Sequence, residues 1–266
     1  MIRWEAEAEE LLKKVPFFVR RKVKGQVEEY ARRKGQNLIT KKFLLEAKKA
    51  LRDKASQAEE GFMVEGCFGS SGCPHAITSS DSLLEELEAV LKEEDFTSFL
   101  KQAIGGPLKH HHQFRVALAE CPNACSQVQI RDFALIGQAR LGLFPERCTM
   151  CGTCVEICEE GAVELSPAGP VLREACLSCG ACARNCPEEA IRVEDKGYKV
   201  LLGGKLGRHP QLALELLPFV PARKVPLLLR KVIAFYKTHQ KGGERLGSII
   251  QRLGWAQVKK ELLSDL

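Results

Sequence analysis

Apolar residues near the start of the chain recur at intervals of four and three. Val19, Val23, Val27 and Tyr30 form such a stripe, which predicts an amphipathic helix. Pro16 fits the first turn of that helix and Gly35 its end. Thr40 reads as the N-cap of a second helix, carrying Leu44, Leu45, Ala47 and Leu51 along one side. After Gly61 the character changes. A glycine- and serine-rich loop, CFGSSGC, precedes a capping-box start at Ser82 and Glu85 and an amphipathic helix through Leu83, Leu84, Leu87 and Leu91. Gly105, Gly106 and Pro107 break that pattern. From His112 to Ala119 the chain alternates, with Phe114, Val116 and Leu118 on one face and Gln113, Arg115 and Ala117 on the other. This predicts a strand, and if its period extends upstream His111 shares the Arg115 side.

Composition turns these elements into a globular chain. Its 266 residues are 45% hydrophobic and 28% charged, which suits a proper core and two or three domains. The longest apolar stretches, such as VPLLLRKVIAF, are interrupted by charge well short of membrane-spanning length. The N-terminal MIRWEAEAEELLKK has no signal-peptide apolar run, so the expected compartment is the cytoplasm. The net charge of +6 hides a partition. Residues 1–60 hold 16 Lys or Arg against 10 Asp or Glu, whereas residues 146–195 hold 4 against 10. An acidic segment between basic ones has the means to dock electrostatically. Nucleic-acid binding has little support, because the basic helices carry few aromatics and many acidic residues.

Cysteine spacing changes the picture most. All twelve cysteines fall into recognisable ligand spacings. Cys67 and Cys73 make C-x5-C, and Cys121 and Cys125 make C-x3-C. Cys148, Cys151, Cys154 and Cys158 make C-x2-C-x2-C-x3-C, which Cys176, Cys179, Cys182 and Cys186 repeat 28 residues later. Soft thiolates in fours are what iron-sulfur cubes require, so twelve predict three [4Fe-4S] clusters and a protein that handles electrons. A disulfide framework would strain loops this small and does not suit a reduced compartment. Zinc sites favour pairs two to four residues apart, which C-x5-C fits poorly.

The eight-cysteine repeat, CTMCGTCVEIC with EEGAV and CLSCGACARNC with PEEAI, resembles the two-cluster bacterial ferredoxins. In them the fourth cysteine of each run ligates the other cluster. The resemblance therefore implies one cube on Cys148, Cys151, Cys154 and Cys186, and another on Cys176, Cys179, Cys182 and Cys158. Glu159 follows Cys158 where proline is usual.

C-x5-C followed by CPNAC, and then GYKVLLGGKLGRHPQLALEL at 197–216 and GGERLGSIIQRLGW near the end, resemble the sirohaem-dependent sulfite and nitrite reductases. Among them the dissimilatory and anaerobic-type sulfite reductases carry an inserted ferredoxin. The resemblance implies an α+β fold: a sirohaem/[4Fe-4S] domain over 61–145 and 196–266, a ferredoxin insert over 146–195, and an N-terminal helical module over 1–60. Trp4 and the stretch PFFVR make that module similar to one in the light-independent protochlorophyllide reductase B subunit. It further implies that Cys125 bridges cube and sirohaem iron. Gly203, Gly204, Lys205, Gly207 and Arg208 would cradle the sirohaem carboxylates. Arg115, Lys205 and His111 would be catalytic, handling an anion and its protons. Family members carry two lysines before CPNxC, where this chain has Gln113 and Arg115. They also carry a ferredoxin-like half that residues 1–60 do not resemble, so another subunit or a second copy is an expected partner. The expected reaction is reduction of sulfite or nitrite with electrons from a low-potential donor protein. The alternative is an electron-transfer subunit without sirohaem.

Overall fold

Short helices whose apolar faces are only partly filled need a partner layer, and the chain provides one in each of two units. The computed structural model describes residues 2–56 and 58–264 and divides into Met1–Glu59 and Glu60–Leu266.

The first unit pairs β1 (Arg3–Trp4) in parallel with β2 (Leu38–Ile39), and packs α1 (Ala6–Lys13), α2 (Phe17–Arg33) and α3 (Lys41–Ser56) around them. Its core holds Ala8, Val27, Ala31, Ile39, Leu44 and Ala47. Gly35, with φ 67°, ends α2. The amides of Gly35 and Gln36 turn back to the carbonyls of Arg32 and Ala31, the paired bonds of a Schellman stop. Thr40 caps α3 through its hydroxyl, which accepts the Phe43 amide at 3.1 Å. Pro16 sits one position earlier than expected, as the N-cap of α2. Leu45 departs from its stripe and is exposed, because it lies a full helical step from Leu44.

The second unit is a five-stranded sheet in the order β3-β4-β5-β8-β9. Its elements in chain order are β3 (Phe62–Gly66), α4 (Asp81–Glu93), α5 (Phe96–Ile104), β4 (Phe114–Ala119), β5 (Phe133–Leu143), α6 (Thr153–Glu156), β6 (Val163–Ser166), β7 (Gly169–Leu172), α7 (Ala181–Arg184), β8 (Ile191–Leu202), β9 (Leu214–Pro221), α8 (Val225–His239), α9 (Leu246–Leu253) and α10 (Trp255–Leu263). β3, β4 and β5 run parallel, and β8 and β9 continue the sheet antiparallel.

The two faces of the sheet differ in residue size. Phe114 meets Phe96 of α5 at 5.3 Å and Tyr236 of α8 at 5.6 Å between ring centroids, a packed aromatic corner. The opposite face is lined with Ala117, Ala119 and Ala134, against which Ala124 and Val128 of the β4–β5 connection lie. Small side chains let that connection, which carries CPNAC, cross close over the sheet.

Two expected starts shift. The strand begins at Phe114 rather than His112, and the chain from His110 to Gln113 forms a turn. The helix expected from a Ser82–Glu85 capping box begins at Asp81, because Ser80 gives its amide and hydroxyl to the buried Glu120 carboxylate instead. The cysteine repeat leaves the sheet from β5 and returns through β8. These strands pair from Phe133↔Leu202 to Leu143↔Ile191, so residues 191–195, expected within the insert, belong to the sheet ladder.

Candidate iron-sulfur and anion site

Three groups of four thiols form in the second unit. Burial pushes the Cys121 thiol up, and the nearby thiols of Cys125, Cys73 and Cys67 add to that rise. Cys121 is buried and Cys125 exposed. The turn between them passes through Ala124 at φ 52°, which aims the two sulfurs differently. Glu120 fastens the loops that carry these ligands. Its amide donates to Cys67 Sγ at 3.3 Å, its carbonyl accepts the Ile77 amide at 2.9 Å, and its carboxylate holds Ser80.

The repeat builds two more groups by the same local geometry. Met150 and Ser178 adopt left-handed φ values of 59° and 56°, and their amides donate to Cys148 Sγ and Cys176 Sγ, each at 3.4 Å. The amides of Ala162 and Ala190 donate to Cys158 Sγ and Cys186 Sγ, each at 3.2 Å. Bonds of this kind stabilise the thiolate form that a metal requires. Burial raises the Cys154 thiol, with Cys186, Cys148 and Cys151 as its charged neighbours. Cys182 is pushed up to about 11 by burial and by Cys176, with Cys179 and Cys158 contributing. Each group thus takes three thiols from one run and one from the other.

A hollow adjoins each repeat group. A small one is lined by Cys148, Cys151, Cys154 and Cys186. A cavity of about 290 Å³ is lined by Cys158, Cys176, Cys179 and Cys182 on one side and by His75, Cys121 and Asn123 on the other. Leu141 of β5 lines it too and packs against both groups.

The GGKLG turn joins a basic corner. Gly203 and Gly204 donate their amides to the carbonyls of Asp132 and Arg131 at 2.8 and 2.7 Å. A Cβ on Gly204 would come within 2.4 Å of the Gln129 carbonyl oxygen, so only glycine allows this approach. Asp132, fully buried, accepts the Arg115 amide at 2.8 Å and both arms of Arg245. Arg131 pairs with Glu65. Among the described residues, Arg115 Nε and Arg131 Nε are buried with no hydrogen-bond partner. Burial, then the charges of Arg245 and Arg131, hold the Arg115 guanidinium below its ordinary range.

Several expected site residues are placed differently. Lys205 is buried, with Nζ donating to Ser248 Oγ at 2.8 Å and Gln251 Oε1 at 3.2 Å, so its charge is committed to α9. His111 lies exposed in the turn before β4, its ring 4.1 Å from that of His112, and does not share the Arg115 face. Gln113 spends its amide on the carbonyls of Glu60 and Phe62. Gly207, at φ 105°, has open space beside it and Arg208 is exposed. Arg131, Asp132, Glu120 and Arg245 did not stand out in the sequence. A polar Arg-Asp pair directly before the apolar run of β5 was the available signal for the first two.

Residues 62–266 match the family described as nitrite and sulphite reductase 4Fe-4S domain, and residues 4–48 match the proto-chlorophyllide reductase 57 kD subunit family. The chain is 30% identical over 199 residues to a coenzyme F420-dependent sulfite reductase of Methanocaldococcus jannaschii, covering 74% of this chain and 30% of that protein. It is 27% identical over 244 residues to the C-type subunit of the anaerobic sulfite reductase of Salmonella typhimurium, covering 85% of this chain and 67% of that one. A solved dissimilatory sulfite reductase I shares its fold with a TM-score of 0.54 at 18% identity, over 85% of this chain and 57% of that one. The chain thus spans under a third of the first of these relatives and about two thirds of the second. By the match across its whole second unit, the chain belongs to the nitrite and sulphite reductase 4Fe-4S domain family.

Proposed function

We propose that the chain is a sirohaem and iron-sulfur oxidoreductase that reduces sulfite, with the thiol groups of the repeat holding a two-cluster ferredoxin relay. The observation that carries this reading is the cavity shared by Cys158, Cys176, Cys179 and Cys182 with Cys121 and Asn123. A cube on the first four would stand next to one on Cys67, Cys73, Cys121 and Cys125. Electrons would then pass from the outer cube, on Cys148, Cys151, Cys154 and Cys186, to the inner one and on to the cube at CPNAC.

The residues present fit a sirohaem. Its carboxylates need donors, and the orphaned Nε atoms of Arg115 and Arg131 are two such donors with no other use. Arg208 and the open side of Gly207 offer further charge and close backbone approach. The exposed side chains of Leu206 and Leu212 suit an apolar macrocycle face. Sirohaem, when bound, supplies an iron at which an oxyanion takes up electrons. The chain's own work is to hold the Cys125 sulfur outward as the shared ligand, to neutralise carboxylates with Arg115 and Arg131, and to keep the turn rigid through Lys205. Lys205 is thereby a positioning residue rather than a proton source. Sulfite suits this basic corner because a doubly charged anion is attracted about twice as strongly as a singly charged one at equal distance. The proton donor belongs to the ferredoxin-like half that family members carry, here a partner subunit or second copy.

Iron, labile-sulfide and pyridine-extract analysis of anaerobically prepared protein tests the assignment. Twelve cluster irons and one sirohaem are expected, with sulfite consumed faster than nitrite when reduced methyl viologen is the donor. Cys125→Ser should disturb the tetrapyrrole spectrum and one cube together, leaving the two repeat cubes intact. Cubes without tetrapyrrole after reconstitution would establish the electron-transfer subunit instead.

A further inference from the structure

The two halves of the cysteine repeat are related by their ligands but not by their surfaces. In the second half, Ser178 and Ala183 are half-buried. The Ser178 carbonyl accepts the Ala139 amide of β5 at 2.8 Å, and Ala139 Cβ would lie 3.3 Å from a Cβ on Gly180. That half faces the sheet. The corresponding positions of the first half are Met150 and Val155, exposed by 49% and 39%. Cys151, between them, is exposed as well. Around this apolar centre stand exposed carboxylates. Glu156 follows Val155 in α6, Glu188 lines the hollow of the outer thiol group, and Glu146 lies two residues before Cys148. Glu189 is exposed too and is the one paired, with Arg147. Position 184, the counterpart of Glu156, is an arginine bound to the Cys179 carbonyl. The acidic character thus belongs to the outer half.

We propose that the Met150–Cys151–Val155 face, rimmed by Glu146, Glu156 and Glu188, is where a one-electron carrier protein with a basic rim docks to load the outer cube. The inference rests on the relay reading above. An apolar centre excludes water while the charged rim steers and orients the encounter, the anatomy of a transient interface. In each encounter the donor loses one electron and the outer cube gains it, with no bond made or broken and no proton exchanged. The acidic balance of residues 146–195, 10 Asp or Glu against 4 Lys or Arg, sets the sign of the partner.

Ferric cytochrome c, a cationic protein with an exposed haem edge, is the probe, run in reverse against the dithionite-reduced full chain by stopped flow. Iron and sulfide analysis first counts the cubes in every variant. The second-order rate is expected to fall as ionic strength rises, and E156K/E188K to lower it by about tenfold at low salt. The same charge change on α4, E85K/E86K, should leave it within about twofold. A fully clustered chain whose rate ignores salt and E156K/E188K, or responds equally to E85K/E86K, overturns the docking face while leaving the relay reading intact. A chain without cubes overturns that reading and this face with it. Acceleration by R20E/R21E in the basic first unit would overturn it differently, by showing that the chain's own module covers the face.

Discussion

Hydrogen bonding and burial divide the thiols into unlike chemical populations. Cys151 is exposed and held below the ordinary thiol range, chiefly by its hydrogen bond with Thr153, whereas Cys182 is pushed up to about 11 by burial. The thiolate is the reacting species, so in the cluster-free chain iodoacetamide should label Cys151 at least about tenfold faster than Cys182 at neutral pH. Peptide mass spectrometry over time reads this, and equal rates would count against the burial of Cys182. Loading of Cys182 must expel a proton, so its cube should assemble with net acid release. Gly204 makes a second residue-scale case. A methyl group there meets the backbone of Gln129 and Arg131 rather than a yielding side chain, and Gly204→Ala should cost about 1–3 kcal/mol, measured by urea unfolding. The cysteine ligands were legible because cluster ligation is written in local spacing. The committed ammonium of Lys205 was not, because its partners Ser248 and Gln251 lie 43 and 46 residues away.

Among elements, one buried carboxylate ties four of them. Asp132 opens β5, accepts the β4 amide of Arg115, binds Arg245 at the head of α9 and receives the Gly203 amide through its carbonyl. Asp132→Ala leaves the Arg245 charge partly buried without its partner. Such a loss costs about 3–5 kcal/mol, and thermal unfolding should show Tm falling by several degrees. A Tm within a degree of the parent would show that the tie is unimportant. Helix starts and stops read well where the signal was local, as at Gly35 and Thr40. They read poorly where tertiary bonds overrode it, as when Ser80 turned to Glu120 and moved the start of α4. The strand β5 was not legible at all. Its residues Phe133 to Ala139 are buried without alternation, since helices cover one side and the CPNAC connection the other. The turn from His110 to Gln113 explains why His111 lost the strand period: Gln113 is drawn inward by the carbonyls of Glu60 and Phe62.

At the scale of the whole molecule, the domain pattern follows from where chain segments enter and leave. No helix among the described residues is long and apolar enough to cross a membrane. Leu143 and Ile191 are paired across an antiparallel ladder, where partner Cα atoms lie about 4.5–5.5 Å apart. Replacing residues 144–190 by an Asn-Gly turn should therefore yield a folded second unit that binds one cube instead of three. Iron content and circular dichroism check this; a variant that aggregates, or that cannot hold its remaining cube, would show that the sheet depends on the insert. The crossed ligation carries a consequence of another kind. Because Cys158 and Cys186 each serve the other run's group, neither half of the repeat has a complete set of four by itself. The insert is consequently an all-or-nothing part: it can be gained or lost through its adjacent ends as one piece, and no intermediate carrying half of it would conduct.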